Sequence, residues 1–294
     1  MILNNKSLFV IMILLAFLIN CNGGKMSEKT THFPSIKDIP DSAWIKLSKK
    51  RIFFGHQSVG FNIIDGIKDV MKENPQIKLN IVETSDPSEF NTPLFAHSRV
   101  GKNRDPKSKL DAFKKFIEEG LGDNINSAFF KFCYVDMGAK IDVKKVFADY
   151  NSTMSSLRDK YPNTNFIHFT SPLCTTKVTF NLKIWLKNYI QWGWKYKPFK
   201  MIMHIKNCWN YEDDIKRNKF NKLLRKEYDG KEPVFDLAKI ESTFLDGKRS
   251  SFTKDGKSYY SLVPDYTHDG GHLNEMGRKV VAEQLLILLA GLCE

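Results

Sequence analysis

Short apolar runs alternate regularly with longer amphipathic stretches, and this alternation constrains the fold more than any other feature of the sequence. Runs rich in aromatic and β-branched residues predict strands over residues 51–55, 77–83, 128–136, 165–170 and 233–237. Apolar residues at three- and four-residue spacing predict helices over residues 59–73, 109–119, 143–160 and 213–228, and Asn274 is expected to cap a final helix. Strands separated by helices form βαβ units. The chain is therefore predicted to be an α/β protein, a three-layer α/β/α sandwich around a mostly parallel sheet.

The N-terminus has the organisation of an export signal. Lys6 precedes an apolar run that reaches Ile19, and this run is too short to cross a hydrocarbon layer of roughly 30 Å. Cys21 follows, and a cysteine at this junction resembles the lipobox of bacterial lipoproteins, with Asn20 where glycine or alanine is usual. We predict a signal peptide over residues 1–20, a lipidated tether over 21–44 beginning at Cys21, and one folded domain over 45–294.

The expected product of this processing is an exported protein, held by lipid to the cell membrane or outer membrane, with its domain in the periplasm or on the surface. An ordinary cleaved signal and an uncleaved anchor helix are the alternatives.

The charge limits the classes of partner. The chain has 45 basic and 33 acidic residues and a net charge of +12. This excess is spread along the sequence, whereas a nucleic-acid-binding protein concentrates it and places aromatic residues between the basic ones. We therefore expect no nucleic-acid partner. Attraction to anionic lipid or acidic glycan fits the charge better, and the simplest interpretation is a solvated exterior.

The cysteines give no sign of a metal site. Those that follow Cys21 are Cys133, Cys174, Cys208 and Cys293. They lack CxxC spacing and do not cluster with histidine, so no metal is expected. Export would permit disulfides, and the sequence leaves their pairing open.

A glycine-containing loop before the final helix holds the strongest chemical signal. Asp269 lies three residues before His272, and a carboxylate so placed can bind one imidazole nitrogen while the other acts as a base. Asp265 and His268 have the same spacing. The matching nucleophile is expected after the first strand, where Ser58 follows Gly55-His-Gln at the start of a helix. The alternative for Ser58 is a helix N-cap without chemistry.

The sequence Asp-Gly-x-His-Leu-Asn-x-x-Gly, on Asp269, His272 and Gly277, resembles the last conserved block of the SGNH/GDSL hydrolases. The resemblance implies a flavodoxin-like fold of the SGNH-hydrolase type. It selects Asp269 and His272 rather than Asp265 and His268, and it implies Ser58 as nucleophile. The family's serine block reads Gly-Asp-Ser, whereas this chain has the longer Gly-His-Gln-Ser.

The same resemblance implies an oxyanion hole. Its expected donors are the backbone N–H groups of Ser58 and Gly101. The family's Gly-x-Asn-Asp block is not matched, because Lys140 occupies the asparagine position, and Asn103 is the candidate replacement. The residues expected to line the pocket are His56, Gln57 and His268.

The function implied by the resemblance is hydrolysis of a small acyl ester through a covalent acyl-enzyme, without metal or organic cofactor. The expected substrates are O-acetyl groups of envelope glycans, or lipid esters. A glycan- or lipid-binding surface lipoprotein without turnover and a glycan O-acetyltransferase remain as alternatives. An aromatic cluster between the core strands predicts either ordinary packing or stacking on sugar rings: Trp185, Tyr189, Trp192, Trp194, Tyr196 and Trp209.

Overall fold

A six-stranded parallel sheet forms the centre of the computed structural model, which describes residues 30–176 and 211–293. The strands are β1 (Arg51–His56), β2 (Ile81–Glu83), β3 (Leu94–Arg99), β4 (Ser127–Phe130), β5 (Asn165–Phe169) and β6 (Val234–Phe235). Their order in the sheet is β2-β3-β1-β4-β5-β6, and every neighbouring pair is parallel. Without the short edge strand β2, this is the flavodoxin-like order.

Helices cover both faces of this sheet. They are α1 (Asp41–Leu47), α2 (Val59–Glu73), α3 (Pro106–Phe116), α4 (Val143–Lys160), α5 (Tyr211–Tyr228), α6 (Leu237–Glu241) and α7 (Glu275–Gly291). Helices α1, α2, α6 and α7 pack on one face, where Ile52 and Phe54 of β1 point, and α3, α4 and α5 pack on the other with Phe53. The predicted three-layer α/β/α sandwich with a parallel sheet is confirmed.

Shorter elements complete the described part. They are 3₁₀ helices at Ile36–Asp38, Pro87–Asn91, Tyr134–Asp136 and Pro264–Tyr266, a π turn at Ile117–Leu121, and an antiparallel hairpin of β7 (Ser251–Lys254) and β8 (Lys257–Tyr260).

The strand order reverses at β1, whose neighbours β3 and β4 both come later in the chain. In such sheets the crevice at the carboxyl end of the reversal strand is the usual ligand site.

Several elements differ from the sequence-based predictions. Strand β3 was not predicted, and the strand predicted over 77–83 is reduced to β2. The strand predicted over 128–136 ends at Phe130, because the carboxylate of Asp136 accepts the Cys133 N–H at 2.6 Å and the chain turns into a 3₁₀ helix. The predicted helices over 59–73 and 143–160 are confirmed at both ends. The predicted cap of α7 is also present: Asn274 Oδ1 accepts the Gly277 N–H at 3.0 Å.

The chain packs on the domain from Thr31 onward, where the sequence predicted a tether as far as residue 44. Ile36, Ala43 and Trp44 are buried in the core, and the Pro34 carbonyl accepts a hydrogen bond from Gln284. None of the described helices combines the length and the apolar character that a membrane span requires. Residues 1–20, Cys21, Cys208 and the aromatic cluster of residues 185–209 lie outside the described residues.

Candidate active site

Ser58 lies in the tight turn that joins β1 to α2. Its φ of 43° is in the left-handed region, which a residue with a Cβ adopts only under strain. The turn passes so close to His56 that a side chain at Gly60 would collide with the imidazole. Although Ser58 holds the N-cap position of α2, its hydroxyl makes no capping hydrogen bond. The hydroxyl is therefore available for another partner.

That partner is His272, which lies in the loop before α7. The Ser58 Oγ and the His272 Nε2 are joined by a hydrogen bond that spans 214 positions of the sequence. The other imidazole nitrogen, Nδ1, lies 2.6 Å from the Asp269 Oδ2. With the imidazole proton on Nδ1 and donated to Asp269, Nε2 accepts the hydroxyl proton of Ser58. The structure thus brings the predicted serine, histidine and aspartate into one hydrogen-bonded row, in which Asp269 contacts His272 and His272 contacts Ser58. This row is the candidate catalytic triad.

The loop fixes the carboxylate of Asp269 through backbone groups. Its Oδ1 accepts the N–H of Gly271 at 3.0 Å and the N–H of His272 at 2.8 Å. Burial raises the pKa of Asp269, but the hydrogen bond and charge of His272 and these N–H groups outweigh it and hold the pKa well below the usual range. Asp269 is therefore a carboxylate throughout the range in which an imidazole titrates. The side chains of His272 and Asp269 are 31% and 27% exposed, so the row is reached from solvent.

Helices α2 and α7 hold the two halves of this row together. The Asn62 Oδ1, one helical turn after Ser58, accepts the N–H of Leu273 at 3.2 Å. Further along, Arg278 of α7 forms an ion pair with Asp69 of α2 at 2.6 Å. Gly66 lets the helices approach so closely that a Cβ there would collide with the Arg278 carbonyl. The separation of Ser58 and His272 is thus set by the packing of these two helices.

The predicted oxyanion glycine lies beside the serine turn. Gly101 follows β3, which runs parallel to β1 with His56 opposite Arg99. The side-chain amide of Gln57 donates to the carbonyls of Gly101 at 3.0 Å and Val100 at 3.3 Å, so it ties the two loops together. Gly101 has a φ of 52°, and a Cβ there would collide with the start of α3. Only glycine fits this position.

The predicted side-chain donor, Asn103, lies two residues further on, in an exposed turn. Its Oδ1 accepts a hydrogen bond from Lys109 at 2.9 Å, and Lys109 in turn pairs with Asp136. Lys140, which the sequence resemblance set against the asparagine of the Gly-x-Asn-Asp block, is exposed.

The three residues predicted to line the pocket, His56, Gln57 and His268, differ in how far they are buried. His56 is fully buried and bonded to His97 at 3.0 Å, so it lies behind the serine turn and has no surface to offer a substrate. Burial, followed by the charge of Lys131, lowers the pKa of His56 to about 2 and keeps it neutral. Gln57 is half-buried and holds the Gly101 loop, whereas His268 is exposed on the loop that carries Asp269.

Three features of the site were not predicted from the sequence: an aromatic contact, a hydrogen bond between helices and a buried ion pair. Tyr134 places its ring edge-on to the His272 imidazole, with centroids 5.6 Å apart, but it fell inside a predicted strand. Asn62 could have been found from its helical spacing to Ser58. The buried pair of Lys109 and Asp136 joins separate elements, and no local pattern indicates it.

Cys133, Cys174 and Cys293 are not joined by disulfides.

Comparisons with known proteins give similarities to solved structures alone. No family model and no curated protein matches the chain. A GDSL-like lipase from Bacteroides thetaiotaomicron VPI-5482 is 12% identical, with 83% of this chain and 89% of that one covered and a TM-score of 0.45. The acetyl xylan esterase AlAXEase is 15% identical, with 80% and 97% covered and a TM-score of 0.44.

A third solved structure is the periplasmic domain of a lipopolysaccharide acetyltransferase from Salmonella ser. Paratyphi A. It is 12% identical, with 87% of this chain and 90% of that one covered and a TM-score of 0.40. At such values these similarities assign no activity to this chain.

Proposed function

We propose that the protein is a serine hydrolase that cleaves small acyl esters through a covalent acyl-enzyme. The observation that carries this proposal is the hydrogen-bonded row of Ser58, His272 and Asp269 at the carboxyl end of β1. The strained φ of Ser58 and its unused capping role support the same assignment, because strain of this kind is concentrated at functional sites.

The mechanism follows from the atoms in this row. The Ser58 Oγ attacks the ester carbonyl carbon while the His272 Nε2 takes the hydroxyl proton, and the carbonyl oxygen becomes an oxyanion. The backbone N–H groups of Ser58 and Gly101 and the side-chain amide of Asn103 are the proposed donors to that oxyanion. The alcohol leaves with the proton from His272.

Deacylation repeats these steps with water. His272 takes a proton from the water that attacks the acyl carbon and returns it to the Ser58 Oγ as the bond between Oγ and the acyl carbon breaks, so the carboxylic acid is released and Ser58 is regenerated. Asp269 stays ionised throughout and stabilises the imidazolium.

The substrate class we propose is an O-acetyl group on an envelope glycan. The partial exposure of His272 and Asp269 supports an ester carried on the surface of a larger molecule. Lipidation of Cys21 would hold the domain close to such a glycan, and a lipid ester is the other substrate in reach of an anchored enzyme.

The decisive experiment measures turnover of p-nitrophenyl acetate by the protein and by Ser58→Ala. We expect kcat to fall by about 10³-fold or more, because removing a triad nucleophile removes the covalent route. Ser152→Ala, at an exposed position on α4, is the matched control and should keep full activity. A fluorophosphonate probe should label the unaltered protein and the control, but not Ser58→Ala.

Equal turnover by the unaltered protein and Ser58→Ala would end the hydrolase proposal and favour a binding protein. Product analysis with and without an acceptor sugar separates hydrolysis from acyl transfer, since transfer moves the acyl group to a sugar hydroxyl.

A further inference from the structure

The turn that carries Asn103 is held in a strained conformation. It runs from Lys102 to Asp105 and is closed by the Asp105 N–H, which donates to the Lys102 carbonyl at 3.3 Å. Arg104 has a φ of 66°, a left-handed value that glycine or asparagine normally supplies. The Lys102 N–H also donates to Ser108 Oγ at 2.8 Å. A strained turn persists only where its surroundings fix it.

Much of that restraint comes from a buried ion pair. Lys109 on α3 and Asp136 after β4 are both fully buried and lie 2.5 Å apart. The Asp136 Oδ1 accepts the N–H of the strained Arg104 at 2.7 Å, and its Oδ2 accepts the Cys133 N–H at 2.6 Å. The pair thus joins the loop after β3 to the loop after β4. Burying two charges costs desolvation free energy, so such a pair is weak evidence for stability alone.

The ion pair also orients the carboxamide of Asn103. Lys109 Nζ donates to the Asn103 Oδ1 at 2.9 Å. With its oxygen bound on that side, the amide nitrogen points away from Lys109, and none of the residues that the structure describes accepts its N–H groups. Gly101, two residues earlier, is tied to the serine turn by Gln57. An N–H donor that is oriented before the reaction is what a developing oxyanion requires.

We infer that Lys109 and Asp136 are positioning residues that aim the Asn103 amide at the oxyanion; this inference rests on the proposed hydrolase function. Lys109 does not touch the reacting atoms, and its effect on the reaction passes through Asn103. On this inference Asn103 takes the donor role that the resemblance assigns to an asparagine, a position that Lys140 holds in this chain.

A double-mutant cycle on esterase kinetics tests this inference. Asn103→Ala should lower kcat by about 10²-fold to 10³-fold with little change in KM, because an oxyanion donor acts only in the transition state. Lys109→Met should lower kcat by at least about 10-fold. In the Asn103→Ala background the same Lys109→Met change should lower kcat by less than about 2-fold, since the group it positions is gone.

Matched variants keep the test independent of folding. Asn103→Asp keeps an acceptor for Lys109 but removes the N–H donor, and it should lose as much kcat as Asn103→Ala. Lys107→Met, on the exposed side of the same helix, should leave kcat unchanged. If Lys109→Met does not fold, Lys109→Gln carries the same cycle, with circular dichroism as the check on folding.

The inference is overturned if Lys109→Met, or its substitute, lowers kcat by the same factor in both backgrounds, which a purely structural role would produce. It is also overturned if Asn103→Ala and Asn103→Asp keep full kcat while Ser58→Ala is inactive. Full activity of Ser58→Ala would instead contradict the hydrolase function itself, so the two failures are distinguishable.

Discussion

At the scale of single residues, the candidate site depends on side chains used in unusual ways. Ser58 has the position of a helix N-cap but bonds to His272 instead. The sequence could predict Ser58, Asp269 and His272, because a short loop pattern and a serine after a strand carry the chemistry locally. Their meeting across 214 positions depends on the whole sheet, and no residue pattern alone contains it.

Glu241 allows a prediction about pH and stability. Its side chain is fully buried at the end of α6, where Oε1 accepts the Leu173 N–H and Oε2 has no hydrogen-bond partner among the described residues. Burial raises the pKa of Glu241 from 4.5 to about 8, against the opposing effects of the Leu173 N–H and Lys131. Because the folded state holds this proton and the unfolded state releases it, stability should fall as pH rises from about 4.5 to about 8.

Glu241→Gln, which cannot ionise, should lack that dependence. Urea unfolding at pH 5, 7 and 9 should show the unaltered protein losing up to about 4 kcal/mol relative to the variant as pH rises. Glu275→Gln, at an exposed position at the start of α7, is a control that should leave this pH dependence in place. A constant difference between protein and Glu241→Gln at all three pH values would contradict the prediction.

At the scale of elements, the contact between α2 and α7 matters most, since one helix begins after Ser58 and the other after His272. The sequence predicted both helices because their apolar periodicity is strong. It missed β3, in which His97, Ser98 and Arg99 interrupt the apolar pattern. His97 is nevertheless buried, because it pairs with His56 on the neighbouring strand. A buried polar side chain that is paired with one on a neighbouring strand cannot be predicted from the pattern of residues along its own strand.

Gly66→Ala should disturb this helix contact. The added Cβ meets the Arg278 carbonyl, which is backbone and cannot move aside, so the helices must separate. We expect a loss of about 1–3 kcal/mol in unfolding free energy from overpacking. Esterase kcat should also fall, by about 10-fold or more, as Ser58 and His272 move apart.

The control for this variant is Gly291→Ala at the end of α7, where a Cβ meets nothing within 4 Å. It should keep stability and activity. Wild-type kcat in a destabilised Gly66→Ala protein would show that the contact supports the fold but does not set the geometry of the site.

At the scale of the whole molecule, the sheet order places the candidate site at the carboxyl end of β1, where the strand order reverses. The alternation of strands and helices was sufficient to predict this architecture, because βαβ units can be closed in few ways. The extent of the domain was less predictable: the prolines of residues 31–44 suggested a tether, whereas Ile36 and Trp44 are buried. Whether these residues are buried depends on the surface of the domain that they pack against, and the composition of the segment gives no information about that surface.

Attachment to a membrane is a prediction about the whole chain. Cys21 should be acylated after export, so expression in bacteria with labelled palmitate should give a labelled protein that partitions into detergent. Cys21→Ser should be unlabelled and partition into the aqueous phase. Cys293→Ser is the matched control and should behave like the unaltered protein. Equal labelling of Cys21→Ser and the unaltered protein would contradict lipidation at this position.

The distance along the chain between Ser58 and His272 has a consequence for biosynthesis. A ribosome completes the first strand and its serine long before it reaches the histidine loop and α7. The serine hydroxyl of a growing chain therefore lacks its base until the last helix has been made and has docked. Nascent and truncated polypeptides should stay inert toward esters, and reactivity toward a serine-directed probe can report that synthesis and folding have finished.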